Sequence, residues 1–321
     1  MLTPARRAVC PGATRQGVRV ASLLSCLLLA AAGWSPASAQ TAGPVGTLVV
    51  AHGGGPEWNA QVLAVTAMVE TGGPVEVTFL MGPGAGDNPF QVAVARLVEA
   101  RAHRIVVVPL LVSSHSGHYE QIRYLVGETD SLSASMRHHL AMGEIERATA
   151  GVPMVLAPGM DDAPEIARVL ANRALALAEE PAEQALHIVG HGPNAPERWA
   201  TWMEHLRILA DSVSAWTGFR DVKVGLVRDD APDAVRAEAV RQIRDVIALQ
   251  YGLTERPVVV VPLLVARGRL SNEKLPADLA GLPIVYTGEA LLAHPGVARW
   301  IESQVGEGVA ALGAMAPSVS R

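Results

Sequence analysis

Cysteine is nearly absent from this chain. The 321 residues hold two, Cys10 and Cys26, both close to the N-terminus. A transition metal bound further along must therefore be held by His, Asp or Glu rather than by thiolate. Long hydrophobic runs are missing too: the N-terminal stretch from Val20 to Gly33 is 14 residues, too short to span a bilayer comfortably. Several signatures of energy-coupled or hydrolytic chemistry are also lacking. There is no Walker loop. His52-Gly53-Gly54-Gly55 matches an esterase oxyanion loop, but no Gly-x-Ser-x-Gly nucleophile turn accompanies it. Gly82-x-Gly84-x-Gly86 has its third glycine one position early for a dinucleotide fingerprint. ATP-driven and hydride-transfer reactions thus find no support.

The N-terminus has the layout of a secretory signal peptide. Arg6, Arg7, Arg15 and Arg19 precede the apolar run, and Ala37-Ser38-Ala39 supplies a small-x-small cleavage site. Cleavage near Ala39 predicts a periplasmic or secreted protein with no membrane span. Removing residues 1–39 from 321 leaves 282 and takes away both cysteines and four arginines. Lys plus Arg then falls from 26 to 22 against 31 Asp plus Glu, a net charge of −9, which argues against a nucleic-acid partner.

From residue 46 to about 304, short β-type runs alternate with stretches of helical periodicity, the pattern of an α/β fold with parallel sheets. The order then repeats. Val-Val-Val-Pro-Leu-Leu-Val occurs at 106–112 and again at 259–265, and Val152-Pro153-Met154-Val155-Leu156 answers Leu282-Pro283-Ile284-Val285-Tyr286. This is an internal duplication. It divides the chain into a first half at 40–181, a second at 182–305 and a tail at 306–321 expected to be disordered. Spacing between the shared prolines places an insertion of roughly 23 residues around 125–148 in the first half, with His138 and His139 inside it. That adjacent pair reads as an incidental feature of a surface helix.

Chemistry concentrates at strand ends. His52 ends the first strand, and His115 and His118 follow the third in Ser113-Ser114-His115-Ser116-Gly117-His118-Tyr119-Glu120. In a parallel sheet these ends share one rim, where open α/β sheets bind ligands. Imidazoles converging without cysteine suit Co²⁺, Fe²⁺, Ni²⁺ or Zn²⁺ with open coordination positions. Gly53, Gly54 and Gly55 would leave room for a flat ring beside His52. Glu57 and Glu120 are candidates to orient the imidazoles. His191 matches His52 in the second half, but Ala266-Arg267-Gly268-Arg269 replaces the histidine loop. The second site is therefore expected to be degenerate, with Arg267 and Arg269 available for substrate carboxylates.

Val-x-x-His-Gly at the first strand, the Val-Val-Val-Pro-Leu-Leu-Val strand followed by Gly117-His118, and the duplication resemble the class II tetrapyrrole chelatases of the CbiX/SirB type. The resemblance covers about residues 46–304. It implies two tandem Rossmann-like half-domains whose four-stranded parallel sheets face a central cleft. It also implies ATP-independent insertion of a divalent metal, Co²⁺, Fe²⁺ or Ni²⁺, into sirohydrochlorin or a related tetrapyrrole, a lyase-type chelatase reaction. His52 and either His115 or His118 would serve as metal ligands and proton acceptors, with Gly117 among the substrate contacts. The Ser-x-His at 113–115 is instead reminiscent of ferrochelatases, so both histidines stand. Most relatives lack an export signal. The alternative expectation is an exported, non-catalytic protein that binds haem, a tetrapyrrole or metal in the same cleft.

Overall fold

The computed structural model describes residues 43–314; the expected signal peptide and residues 315–321 lie outside them. Residues 42–314 belong to one compact unit. The first half runs β1 (Val45–Ala51), α1 (Pro56–Thr66), β2 (Val75–Phe79), α2 (Phe90–Glu99), β3 (Arg104–Leu110), α3 (Gly117–Leu125), α4 (Ala134–Met142), β4 (Met154–Leu156) and α5 (Pro164–Leu177). The second runs β5 (Ala185–Gly190), α6 (Trp199–Thr217), β6 (Asp221–Leu226), α7 (Asp233–Thr254), β7 (Val258–Leu263), α8 (Leu275–Asp278), β8 (Ile284–Val285) and α9 (Pro295–Ala314). Each half forms a four-stranded sheet, in the orders β2-β1-β3-β4 and β6-β5-β7-β8, with every strand pair parallel. The duplicated heptad is the reason. Its valines lie on β3 and β7, central strands buried on both faces, where a continuous apolar run is needed instead of an alternating one.

The inner faces of both sheets share a single core. Val49, Val106 and Val108 of the first sheet and Ile188, Val259 and Val261 of the second enclose residues of α1, α5, α6 and α9. Within it the last helix of each half crosses over. α9 packs on β3 and β4 of the first sheet, and α5 packs on β7 of the second. The approach is close: a Cβ at Gly308 would stand 2.7 Å from Val106, and one at Gly296 would stand 2.6 Å from Val169. Outer faces are covered separately, by α2, α3 and α4 on one side and by α7 and α8 on the other.

One expectation needs correction. The tail does not begin at 306: α9 continues to Ala314, with Val305, Gly308 and Leu312 buried. Its apolar spacing is satisfied by the first sheet, a surface outside its own half. The stretch that holds the insertion forms two helices. Gly127 at φ 85° ends α3, and Ser133 starts α4 by accepting from the Met136 amide at 3.3 Å.

One core histidine links the fold to pH. His187 on β5 is fully buried, and its Nδ1–H donates to Gln250 Oε1 at 2.9 Å while Nε2 has no partner. Gln250 is oriented by donating to the Leu186 carbonyl at 2.9 Å. Burial pushes the His187 pKa down to about 4. The unfolded chain takes up this proton near the ordinary value of 6.5 and the folded chain does not, so the contribution to stability is lost as pH falls from 6.5 towards about 4. Urea unfolding should show stability dropping across that window by up to the order of 3 kcal/mol from this residue. In His187→Leu the drop should be smaller by that amount, whatever the variant's stability at neutral pH.

Candidate metal-binding cleft

The carboxyl ends of both sheets open on one cleft of about 580 Å³, a small-molecule scale, with His52, His118, His191, Asp230, Trp58 and Trp202 among its walls. His52 follows β1. Its Nδ1–H donates to the Gly53 carbonyl at 2.7 Å, which leaves Nε2 as a lone pair. His118 sits in the first turn of α3, where Ser116 caps the helix by accepting from the Tyr119 amide at 3.2 Å. His118 Nδ1 lies 2.7 Å from Gln121 Oε1. Gln121 Nε2 donates to the Met136 carbonyl at 2.8 Å, so the oxygen is the end turned to the ring. His118 therefore donates from Nδ1 and keeps Nε2 free. The two rings meet edge to face with centroids 4.4 Å apart.

Electrostatics favour the same state. Burial lowers the His118 pKa to about 4, with His52 adding to the effect. Burial also lowers His52, although the Gly53 carbonyl opposes it. Both imidazoles are thus neutral at pH 7, as coordination requires. The same burial makes both imidazoles weak bases, so a proton that either accepts is held only briefly.

Opposite them the second half repeats the first motif with another outcome. His191 follows β5, and its Nδ1–H donates to the Gly192 carbonyl at 2.7 Å, as His52 does to Gly53. Its Nε2 meets Asp230 Oδ2 at 3.2 Å. Burial alone would lower the His191 pKa, but Asp230, the Gly192 carbonyl and Asp229 together outweigh it and the net shift is upward. With both nitrogens engaged, His191 is no free ligand. His191, Asp229 and Asp230 bring potential ligand atoms within 4.8 Å of one another. Asp229, however, is already matched by Arg236 at 3.0 Å and Lys274 at 2.7 Å. That cluster is a satisfied charge network, and only Asp230, 63% exposed, keeps a carboxylate oxygen for the cleft. Ser271 stands where the duplication would place a counterpart of His118.

The remaining expected residues divide between the walls of the cleft and its surroundings. His115 is exposed and does not line the cleft; its ring lies 5.6 Å from His205. The physical reason is the start of α3: residues after Ser116 turn inward with the helix, and His115 precedes the cap. The three glycines do not hold a ring. At Gly53, φ is 90° and a Cβ would stand 2.1 Å from the Met81 carbonyl oxygen; at Gly54 it would stand 2.9 Å from Trp58. They permit backbone and side chain to close together, and Gly55 is exposed. Glu57 is exposed on α1 and touches neither imidazole ring. Glu120 lines the cleft but pairs with Arg198 at 2.5 Å, a link between the two halves. Arg267 has its backbone clamped to Gln61 by bonds of 3.0 and 3.1 Å and does not line the cleft, whereas Arg269 and Gly117 do. Gln121 and Arg198 were not expected.

Residues 46–177 match the CbiX family model. Over those residues the chain is similar to the CbiX family. The chain as a whole has the fold of the SirB chelatases. SirB from Bacillus subtilis with Fe³⁺ matches with a TM-score of 0.59 at 17% identity, over 85% of this chain and 98% of that one. SirB from Bacillus subtilis subspecies spizizenii in complex with cobalt gives 0.57 at 16%, over 85% and 98%. DR2241 from Deinococcus radiodurans, a multi-domain protein with structural similarity to chelatases and two additional novel domains, gives 0.52 at 15%, over 83% and 55%. No curated protein matches the sequence. Among the described residues no helix is long and apolar enough to cross a membrane.

Through its hydrogen bond to His118, Gln121 acts as a positioning residue, and its loss is expected to have a measurable effect. Gln121→Met should keep the helix but release the His118 tautomer, weakening Co²⁺ binding about 10- to 100-fold. Calorimetric titration with Co²⁺ checks it; unchanged affinity would mean the ring is held by other means.

Proposed function

We propose that the protein inserts a divalent metal ion into sirohydrochlorin or a closely related tetrapyrrole, without a nucleotide. The observation that carries this reading is the pair of neutral imidazoles, His52 and His118, each with Nδ1–H tied down and Nε2 free, at the wall of a largely apolar cleft. The metal is a substrate, held through these two nitrogens with further positions open to water and then to pyrrole nitrogens. Co²⁺ and Fe²⁺ suit such ligands, and the fold is shared with SirB structures that hold cobalt and Fe³⁺. Trp58 and Trp202 flank the space for the ring, and Arg269, with Arg198 once Glu120 yields it, supplies cations for peripheral carboxylates.

Coordination exchanges two pyrrole N–H protons for one dication. No hydride, electron or phosphoryl group moves, so the exchange itself requires no nucleotide. As the ion leaves His52 and His118 their lone pairs can take these protons. Low pKa values mean the protons pass on at once, leaving the ligands ready for the next ion. Asp230 places a negative charge across the cleft, which favours the incoming cation.

Sirohydrochlorin and Co²⁺ mixed with the protein should give the metallated absorption spectrum faster than the protein-free control. His52→Ala and His118→Ala should each lower the rate by at least about 100-fold, since loss of a mere orienting partner already costs roughly 10- to 100-fold. His138→Ala, on the exposed face of α4, should leave it unchanged. A second reading, an exported tetrapyrrole carrier, is favoured by the signal-like N-terminus and by the Arg198–Glu120 pair that ties the cleft walls together. Stoichiometric tetrapyrrole binding without any rate above the control would decide for it.

A further inference from the structure

His115, turned away from the cleft, stands in a second cluster that the proposed reaction does not use. Its ring lies 5.6 Å from His205 of α6, with an interplanar angle of 55°. His205 Nδ1 is buried without a formed hydrogen bond and faces Asp161 Oδ1 at 3.3 Å. Asp161 is held firmly. The Ser114 amide donates to Oδ1 at 2.8 Å and the Ser114 hydroxyl to Oδ2 at 2.5 Å, while that hydroxyl accepts from the Gly159 amide at 2.7 Å. The loop bearing His115 is also fixed to α6, because Trp202 Nε1–H donates to the His115 carbonyl at 2.9 Å.

We propose that His115 and His205 form a second divalent-metal site outside the cleft, with Asp161 orienting His205. A carboxylate beside Nδ1 favours the proton there and leaves Nε2 as the ligand atom, the arrangement by which metal-binding histidines are commonly oriented. Two imidazoles without thiolate suit Co²⁺, Ni²⁺ or Zn²⁺, and the exposure of His115 leaves the other coordination positions to water. Such an ion is exchangeable rather than structural. His115 and His118 are three residues apart on either side of the start of α3, so an ion held outside is one turn of chain from the cleft ligand.

The duplication supplies a control. Asp161 N donates to the Val112 carbonyl at 2.9 Å, and the same bond in the second half runs from Leu292 N to the Val265 carbonyl. Leucine therefore occupies the place of Asp161. By the heptad offset Gly268 occupies the place of His115. His205 lies 14 residues after His191, where the first half has Thr66 after His52. The shared fold requires none of the three cluster residues, and all three converge at one spot.

Calorimetric and visible-absorption titration of the full-length protein with Co²⁺ tests the site. Wild type should take one equivalent more than His205→Ala, and one more than His115→Ala, whose exposed position makes a folding defect an inadequate explanation. Asp161→Asn should bind the same equivalent about 10- to 100-fold more weakly. The equivalent lost in His52→Ala should be a different one, so that His52→Ala with His205→Ala loses both. Equal stoichiometry in wild type, His115→Ala and His205→Ala would overturn the proposal. Loss in those variants with none in His52→Ala would retain this site and count against the cleft as the metal-insertion site.

Discussion

The exchange of the last helices constrains everything else in the molecule. Because α9 covers the first sheet and α5 covers β7, the two halves share one core and their strand ends are held facing each other. The cleft is thus a product of packing rather than of a hinge. Burial on both sides then desolvates the histidines placed at its rim. Desolvation, more than any specific charge, holds His52 and His118 neutral.

The same motif gives opposite results on the two walls. His52 and His191 both follow a central strand and both give Nδ1–H to the next carbonyl. Their neighbours separate them: Asp230 lies at the Nε2 of His191, and the edge of His118 lies beside the ring of His52. One becomes a hydrogen-bond partner of a carboxylate and the other a candidate ligand. Duplication followed by divergence at two or three positions is sufficient to convert a symmetric scaffold into an asymmetric site.

Much of this was legible in the chain. Parallel sheets followed from the continuous valine runs, and the second half from the repeated heptad. The choice between His115 and His118 was not, because both follow the same strand end and the difference lies in where Ser116 caps the helix. The helical spacing from His118 to Gln121 was a usable signal for a partner. The glycines after His52 were misread because a missing side chain admits a ligand or a neighbouring backbone equally well, and here Met81 and Trp58 take the space. The crossing of α9 onto the other sheet left no trace, since an apolar stripe does not say which sheet it will meet.

The insertion in the first half has a consequence for what the second half can become. It resembles surface decoration, yet its helix α4 presents the Met136 carbonyl that orients Gln121, which in turn orients His118. The proposed metal site therefore depends on a length difference between the two copies as much as on their histidines. Grafting the missing imidazole alone, by Ser271→His, would supply a ring with no fixed tautomer. A symmetric two-site protein is not one substitution away; it would have to acquire some twenty residues of supporting chain.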